Sequence, residues 1–303
     1  MTTIDAKAAA AVAAASADEV RKPPGVFRVA LRMWRTRIGL VMLFALVAFA
    51  MIGPHIAPFG EQEYVKRAKP NQRDVEGLLF GTDRLGYDVW SRTLFGGRSI
   101  LWLAAASTAL ALLAGVTIGL IAAYNRGALD TWLMRAMDVA LAFPQILIAL
   151  VALTTIGPKQ WLIILIVAVT TTPRIARITR GAAVPVVERD FVGAAEALGE
   201  SRPRILVSEL LPNVSGPLLV EANLRLTYSI GLIAALGFLG FSTKPGKADW
   251  GFMINENRLA LSVNPWGVIL PSIAIALLTV STGLIADGLS RSTAGIDRAK
   301  GDQ

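Results

Sequence analysis

Six stretches of apolar residues, each close to the length of a bilayer-spanning helix, constrain this chain more than any other feature. A helix advances about 1.5 Å per residue, so roughly 20 mostly apolar residues cross a hydrocarbon core of about 30 Å. Such stretches run from about Ile38 to Ala57, Ser99 to Tyr124, Trp132 to Ile156, Trp161 to Ile178, Pro217 to Phe241 and Trp266 to Leu289. Only the Gly157-Pro158-Lys159 turn separates the third from the fourth. With 54% hydrophobic and 17% charged residues, a water-soluble domain of 303 residues would lack the polar surface to cover its core. The expected fold is an all-α, multi-pass integral membrane protein of six transmembrane helices at residues 37–290, with tails at 1–36 and 291–303. The alanine-rich start has no apolar core like that of a secretory signal, and reads as a solvated tail or a short docking helix.

Lys and Arg collect on the cytoplasmic side of a membrane protein. Arg28, Arg32, Arg35 and Arg37 precede the first stretch, which places the amino terminus inside. Six crossings then return the carboxyl terminus inside, together with a loop carrying Arg174, Arg177, Arg180, Arg189, Arg202 and Arg204. The connection at 58–98 is expected outside although it holds seven basic residues. Its length and its acids, among them Glu61, Glu63, Asp74, Glu76, Asp83 and Asp88, make that tolerable. The net charge of +8 therefore reflects topology rather than nucleic-acid binding. With no cysteine, the chain has neither a disulfide framework nor thiolate chemistry.

The cytoplasmic loop at 188–213 carries the strongest functional pattern. Phe191, Ala194, Ala195 and Leu198 recur at helical spacing, Asp190 is placed to cap the start, and Gly199 is placed to end the helix. Ser201 offers a second cap, with Pro203 in the first turn of a second helix from about Arg202 to Leu211. Two short helices at a glycine corner follow, with the small Ala194 and Ala195 allowing close approach by another protein. An ordinary amphipathic connector would show part of the same pattern.

This segment resembles the EAA loop of ABC-importer permeases, in which Glu-Ala-Ala is followed after three residues by Gly and later by Leu-Pro. Ala194, Ala195, Gly199, Leu211 and Pro212 match; Gly193 stands at the glutamate and Glu209 at a hydrophobic position. Glu196 lies one turn from the missing carboxylate and could replace it. The run Gly81-Thr82-Asp83-Arg84-Leu85-Gly86-Tyr87-Asp88, Ser91-Arg92 and Gly96-Gly97-Arg98-Ser99 resembles the second, C-type permease subunit of dipeptide, oligopeptide and nickel importers, with Tyr87 replacing an arginine. Asp130, Arg135, Asp138, Ala142-Phe143-Pro144, Gly237 to Gly240, Trp250 to Met253 and Asp287-Gly288-Leu289 extend the likeness from Ile38 to Leu289. The resemblance implies a type I importer permease fold in a bacterial inner membrane. It implies a homologous sister permease, two ATPase domains seated on the coupling loops, an extracytoplasmic solute-binding protein and a peptide substrate.

No phosphate-cradling glycine loop is present: Gly246-Lys247 is followed by Ala248, and Phe241 stands where the loop's first glycine would be. ATP and magnesium are accordingly expected in partner subunits, with no cofactor on this chain. No catalytic or metal constellation stands out, and the single histidine, His55, reads as interfacial. Charges inside spans face protein or water. Glu221 and Arg225, one turn apart, either lock the fifth helix or line the pathway, and Arg135 and Asp138 admit the same two readings. Pro144 is placed to kink the third helix, with Gln145 bonding across helices or facing the pathway. Gly115 and Gly119 fit close packing, expected against the sister permease. A permease for nickel or another small solute shares most of these motifs. An ATP-independent transporter predicts internal repeats and an intramembrane enzyme predicts a catalytic group, neither of which stands out.

Overall fold

The computed structural model describes residues 29–66, 68–241 and 246–301, so the alanine-rich start, Arg28, Arg67 and Lys244 lie outside the described residues. Among the described residues, five helices are long and apolar enough to cross a membrane: α1 (Trp34–Ile56), α2 (Val89–Asn125), α5 (Gln160–Val187), α7 (Arg202–Phe238) and α9 (Trp266–Gly301). The sixth apolar stretch is a bent pair, which makes six spans if it crosses as one unit. Helices α3 (Ala128–Ala142) and α4 (Gln145–Ile156) meet at 76° around Phe143 and Pro144. Pro144 lacks the amide that would continue the helical ladder, and Phe143 before it is extended (φ −91°, ψ 132°), as a residue preceding proline prefers. Two short helices, α6 (Asp190–Ala197) and α8 (Trp250–Asn257), lie at opposite ends of the bundle, here termed the base and the cap.

Several helices run well past their apolar stretches. Helix α2 spans 37 residues, beginning ten residues before Ser99, because Asp88 caps it by accepting from the amide (2.9 Å) and hydroxyl (2.6 Å) of Ser91. The irregular backbone of the connection expected at 58–98 therefore ends at Asp88, and its last ten residues are helical. Helix α5 continues to Val187, which puts Arg174, Arg177 and Arg180 on the helix rather than in the expected loop.

Among the described residues, 57–88 form no regular strand or helix, yet they are pinned. Arg92 is fully buried at the start of α2, pairs with Asp83 and with Glu256 of α8 (3.0 Å), and lies 5.3 Å from the centre of the Tyr87 ring. The other Asp83 oxygen accepts from the amides of Leu85 (2.8 Å) and Tyr87 (2.9 Å). Asn264 donates to the carbonyls of Phe80 and Thr82, and Asn257 accepts from the Arg84 amide. Buried Trp250 donates its indole N–H to the Thr93 carbonyl (2.8 Å) and packs against Gly96 and Gly97, where a Cβ would come within 2.6 Å of its ring. The Gly81-to-Ser99 and Trp250-to-Met253 runs are thus two sides of one clasp.

Close seams hold the bundle together. Gly115 and Gly119 of α2 face Ile175 and Thr179 of α5, where an added Cβ would approach within 2.6 Å and 2.5 Å. This corrects the expectation that they meet a sister subunit; they are spent inside the chain. At the base, Arg35 of α1 bonds Asp287 of α9 (2.6 Å), which also accepts from Arg291 (3.0 Å). His55 at the cap end of α1 lies 3.4 Å from Arg98, whose guanidinium donates to the Ala50 and Met51 carbonyls.

Removing Arg92 leaves two carboxylates unpaired in a buried site, a change that typically costs about 3–5 kcal/mol. Arg92→Leu is expected to open residues 57–88 to protease added on the cap side, and Asp83→Asn in the same chain to recover part of the loss. Asp249, half-buried at the start of α8, has its carboxyl pushed above the usual range by loss of hydration. Its contribution to stability is therefore present below the unfolded-state pKa and lost as pH rises through the raised value. Melting curves at acid and neutral pH should show Asp249→Asn gaining on the parent chain as pH rises.

Candidate functional site at the glycine corner

At the base, α6 ends in a Schellman turn. Gly199 takes φ +76°, its amide bonds the Glu196 carbonyl (3.0 Å), and the Glu200 amide reaches back to Ala195 (3.1 Å). Only a residue without a Cβ enters this left-handed region freely. The chain then passes through extended Ser201 and resumes as helix at Arg202, with Pro203 in the first turn.

Four expectations change here. Asp190 is the first residue of the helix rather than its cap; Arg189 occupies the cap position without a side-chain bond, and Asp190 serves the positive helix end instead. Ser201 likewise caps by position alone. The second short helix is not separate: it runs into α7 through a wide π-helical stretch, Ile205–Leu210, whose Leu211 amide bonds the Leu206 carbonyl. The expected apolar face is also split. Val192 and Ala195 are buried against Ile205, Leu210 and Val214 of α7, Leu120 and Ala123 of α2, and Ala183 and Val186 of α5, with Phe191 half-buried beside them. Ala194, Glu196 and Leu198 face outward, Leu198 at 83% exposure. Glu196 lies against the Tyr124 hydroxyl of α2. Leu211 is half-buried and Pro212 exposed.

The charged candidates sit higher in the bundle and do not join the corner. Glu221 and Arg225 are both buried, with carboxylate and Nε 2.7 Å apart; the contact is an ion pair without hydrogen-bond alignment. Arg225 also lies 4.8 Å from the Tyr228 ring centre. Asp138 of α3 pairs with Arg177 of α5, and Gln145 bonds across helices, donating to the Thr170 carbonyl (2.8 Å). Sequence reading alone did not anticipate the pairing of Asp130 with Arg180, where two hydrogen bonds of 2.5 and 2.6 Å tie α3 to α5. The Asp-x7-Asp spacing on α3 against Arg-x2-Arg on α5 was its only visible sign.

The family model for "Binding-protein-dependent transport system inner membrane component" matches residues 115–295, which include the corner and every charged pair just described. The chain belongs to this family. A Brucella suis relative named as a peptide transport system permease protein is 37% identical over 285 residues, covering 90% of this chain and 93% of the relative. A di/tripeptide transport system permease protein of Pseudomonas aeruginosa is 32% identical over 258 residues, covering 83% of this chain and 84% of its own. An inward-facing methionine ABC transporter structure superposes with a TM-score of 0.51 at 17% identity, over 65% of this chain and 96% of that one, which shows a shared fold. As a permease-family member, this chain keeps the glycine corner but replaces the motif's glutamate with Gly193, where an added Cβ would meet nothing within 4 Å.

Space is equally open around Gly199, so a side chain there costs only backbone strain, about 1–2 kcal/mol. Thermal melts should therefore rank Gly199→Asn above Gly199→Val, because asparagine tolerates the left-handed region and a β-branched residue does not.

Proposed function

We propose that this chain is one of two membrane halves of an ATP-driven importer of short peptides in a bacterial inner membrane, with α6 and the Gly199 corner as the seat for an ATPase subunit. One observation carries the reading. A short helix is anchored by Val192 and Ala195 on one side, yet holds Leu198 and Ala194 bare on the other, at the one corner of the base that matches the coupling motif. A large apolar side chain held rigidly in water is the feature of a surface awaiting a partner.

In this reading the base and both termini are cytoplasmic, and an extracytoplasmic binding protein delivers peptide to the cap. ATP and magnesium bind in the partner subunits, and this chain breaks no bonds itself. Closure of the ATPases on nucleotide draws the corner sideways. Because the helix that resumes at Arg202 continues unbroken as α7, displacement of the corner enters the span directly, and the π turn at Ile205–Leu210 supplies looser helical bonding at the point of entry. The cycle is then a shift between two packings of the same bundle, biased by contacts made at the base. The peptide substrate follows the named activities of the relatives that match most of the chain.

Burial of a leucine contributes about 1.5–3 kcal/mol, so Leu198→Asp should weaken ATPase docking by roughly tenfold to a hundredfold and depress peptide uptake while the chain still inserts. Uptake and docking at the parent level would remove the coupling role. A cysteine introduced as Ser201→Cys into this cysteine-free chain should react only from the cytoplasmic face of sealed cells. Uptake of nickel in place of dipeptide by the parent assembly would replace the substrate.

A further inference from the structure

Helix α5 changes the side it exposes part-way along. Toward the cap the exposed residues include Trp161, Leu165 and Val169, an apolar ridge suited to lipid. Toward the base they are Arg174, Arg177, Ile178, Gly181 and Pro185. At 100° per residue the two strips lie roughly 170° apart. The face that bears Arg174 is therefore the same one that is buried near the cap at Ile163, Val167 and Thr170, where Gln145 closes it from α4. Below Thr170 this sealed face opens, and at Gly181 an added Cβ would meet nothing within 4 Å.

Arg174 stands 13 residues beyond Trp161, about 20 Å into a core of about 30 Å. Three arginines around it are neutralised, Arg177 by Asp138, Arg180 by Asp130 and Arg225 by Glu221, while the exposed Arg135 of α3 forms no ion pair among the described residues. Arg174 forms no ion pair among the described residues; Glu221 feels its charge but is engaged by Arg225. An exposed guanidinium at this depth requires water or an anion beside it. Side chains on a helix lean toward its amino terminus, which for α5 is the cap end, so Arg174 reaches toward the closed region under Thr170 rather than down to the headgroups at the base.

Resting on the peptide-import reading, we propose that Arg174 binds the carboxylate of a peptide in transit, at the upper limit of a water-filled vestibule bounded by the base half of α5. The planar fork of a guanidinium matches a carboxylate with two parallel hydrogen bonds, and a free carboxyl terminus is the one anion that every unmodified peptide carries. The paired arginines are already satisfied, and of the unpaired Arg135 and Arg174 only Arg174 stands on the α5 face that Gln145 closes at Thr170.

The test uses the complete assembly in liposomes. With Arg174→Cys, Gly181→Cys and Val169→Cys made singly in the cysteine-free chain, a membrane-impermeant anionic thiol reagent is applied at the base and the mass of this chain is followed. Arg174→Cys and Gly181→Cys should react at least about tenfold faster than Val169→Cys; reaction of Arg174→Cys as slow as Val169→Cys places residue 174 against lipid or protein and overturns the proposal. In uptake assays, Arg174→Gln should lower the maximal rate for a dipeptide about tenfold and Arg174→Lys should restore part of it. The half-saturating concentration, set by the binding protein, should stay unchanged. A carboxyl-terminally amidated dipeptide should lose nothing relative to its own parent rate, and an equal loss for both peptides overturns the carboxylate assignment. A parent assembly that imports no peptide strikes the functional reading instead, while the labelling rates still decide whether the strip meets water.

Discussion

Hydrocarbon offers no partner for a backbone amide or a side-chain charge, and the architecture follows from meeting that demand within the chain. Long helices satisfy the backbone. The charges that enter the bundle are mostly cancelled in pairs, Asp130 with Arg180, Asp138 with Arg177 and Glu221 with Arg225. With little hydrophobic drive between helices in lipid, contact comes from close approach. Gly115 and Gly119 provide it by letting α5 settle on α2 with Ile175 and Thr179 filling the space their missing side chains leave.

The two ends of the bundle differ in how firmly they are held. At the cap, an irregular connection is fixed by a buried arginine, two asparagines and an indole, each bonded to groups far away in sequence. At the base, α6 is held by a few small and branched side chains and by one glycine turn. Such an arrangement suits a rigid platform on one face of a membrane and a movable contact on the other. The bent pair α3 and α4 lies between them, with none of the α3 side chains buried and its position set by ion pairs to α5.

Hydrophobic length alone located the five long spans and the bent pair, because the bilayer fixes how many apolar residues a span requires. Spacing around Gly199 located the corner, since only glycine takes the left-handed turn cheaply and its distance to Leu211-Pro212 is local. Helix ends were misplaced where polar sequence continues a helix, as at Val89 and Val187, because hydropathy registers the membrane and not the hydrogen-bond ladder. The same blindness put Arg174, Arg177 and Arg180 in a loop.

What the sequence determined by itself was therefore the solvent, the apolar stretches that form the long helices and the one local motif at the corner. The tertiary structure alone decided which faces meet. It turned Gly115 and Gly119 inward to α5, joined Asp83 and Arg92 to Glu256 across more than half the chain, divided α6 between a buried Ala195 and a bare Leu198, and left Arg174 without an ion pair among the described residues. Those choices depend on distances between segments remote in sequence, and no local pattern of residues encodes them.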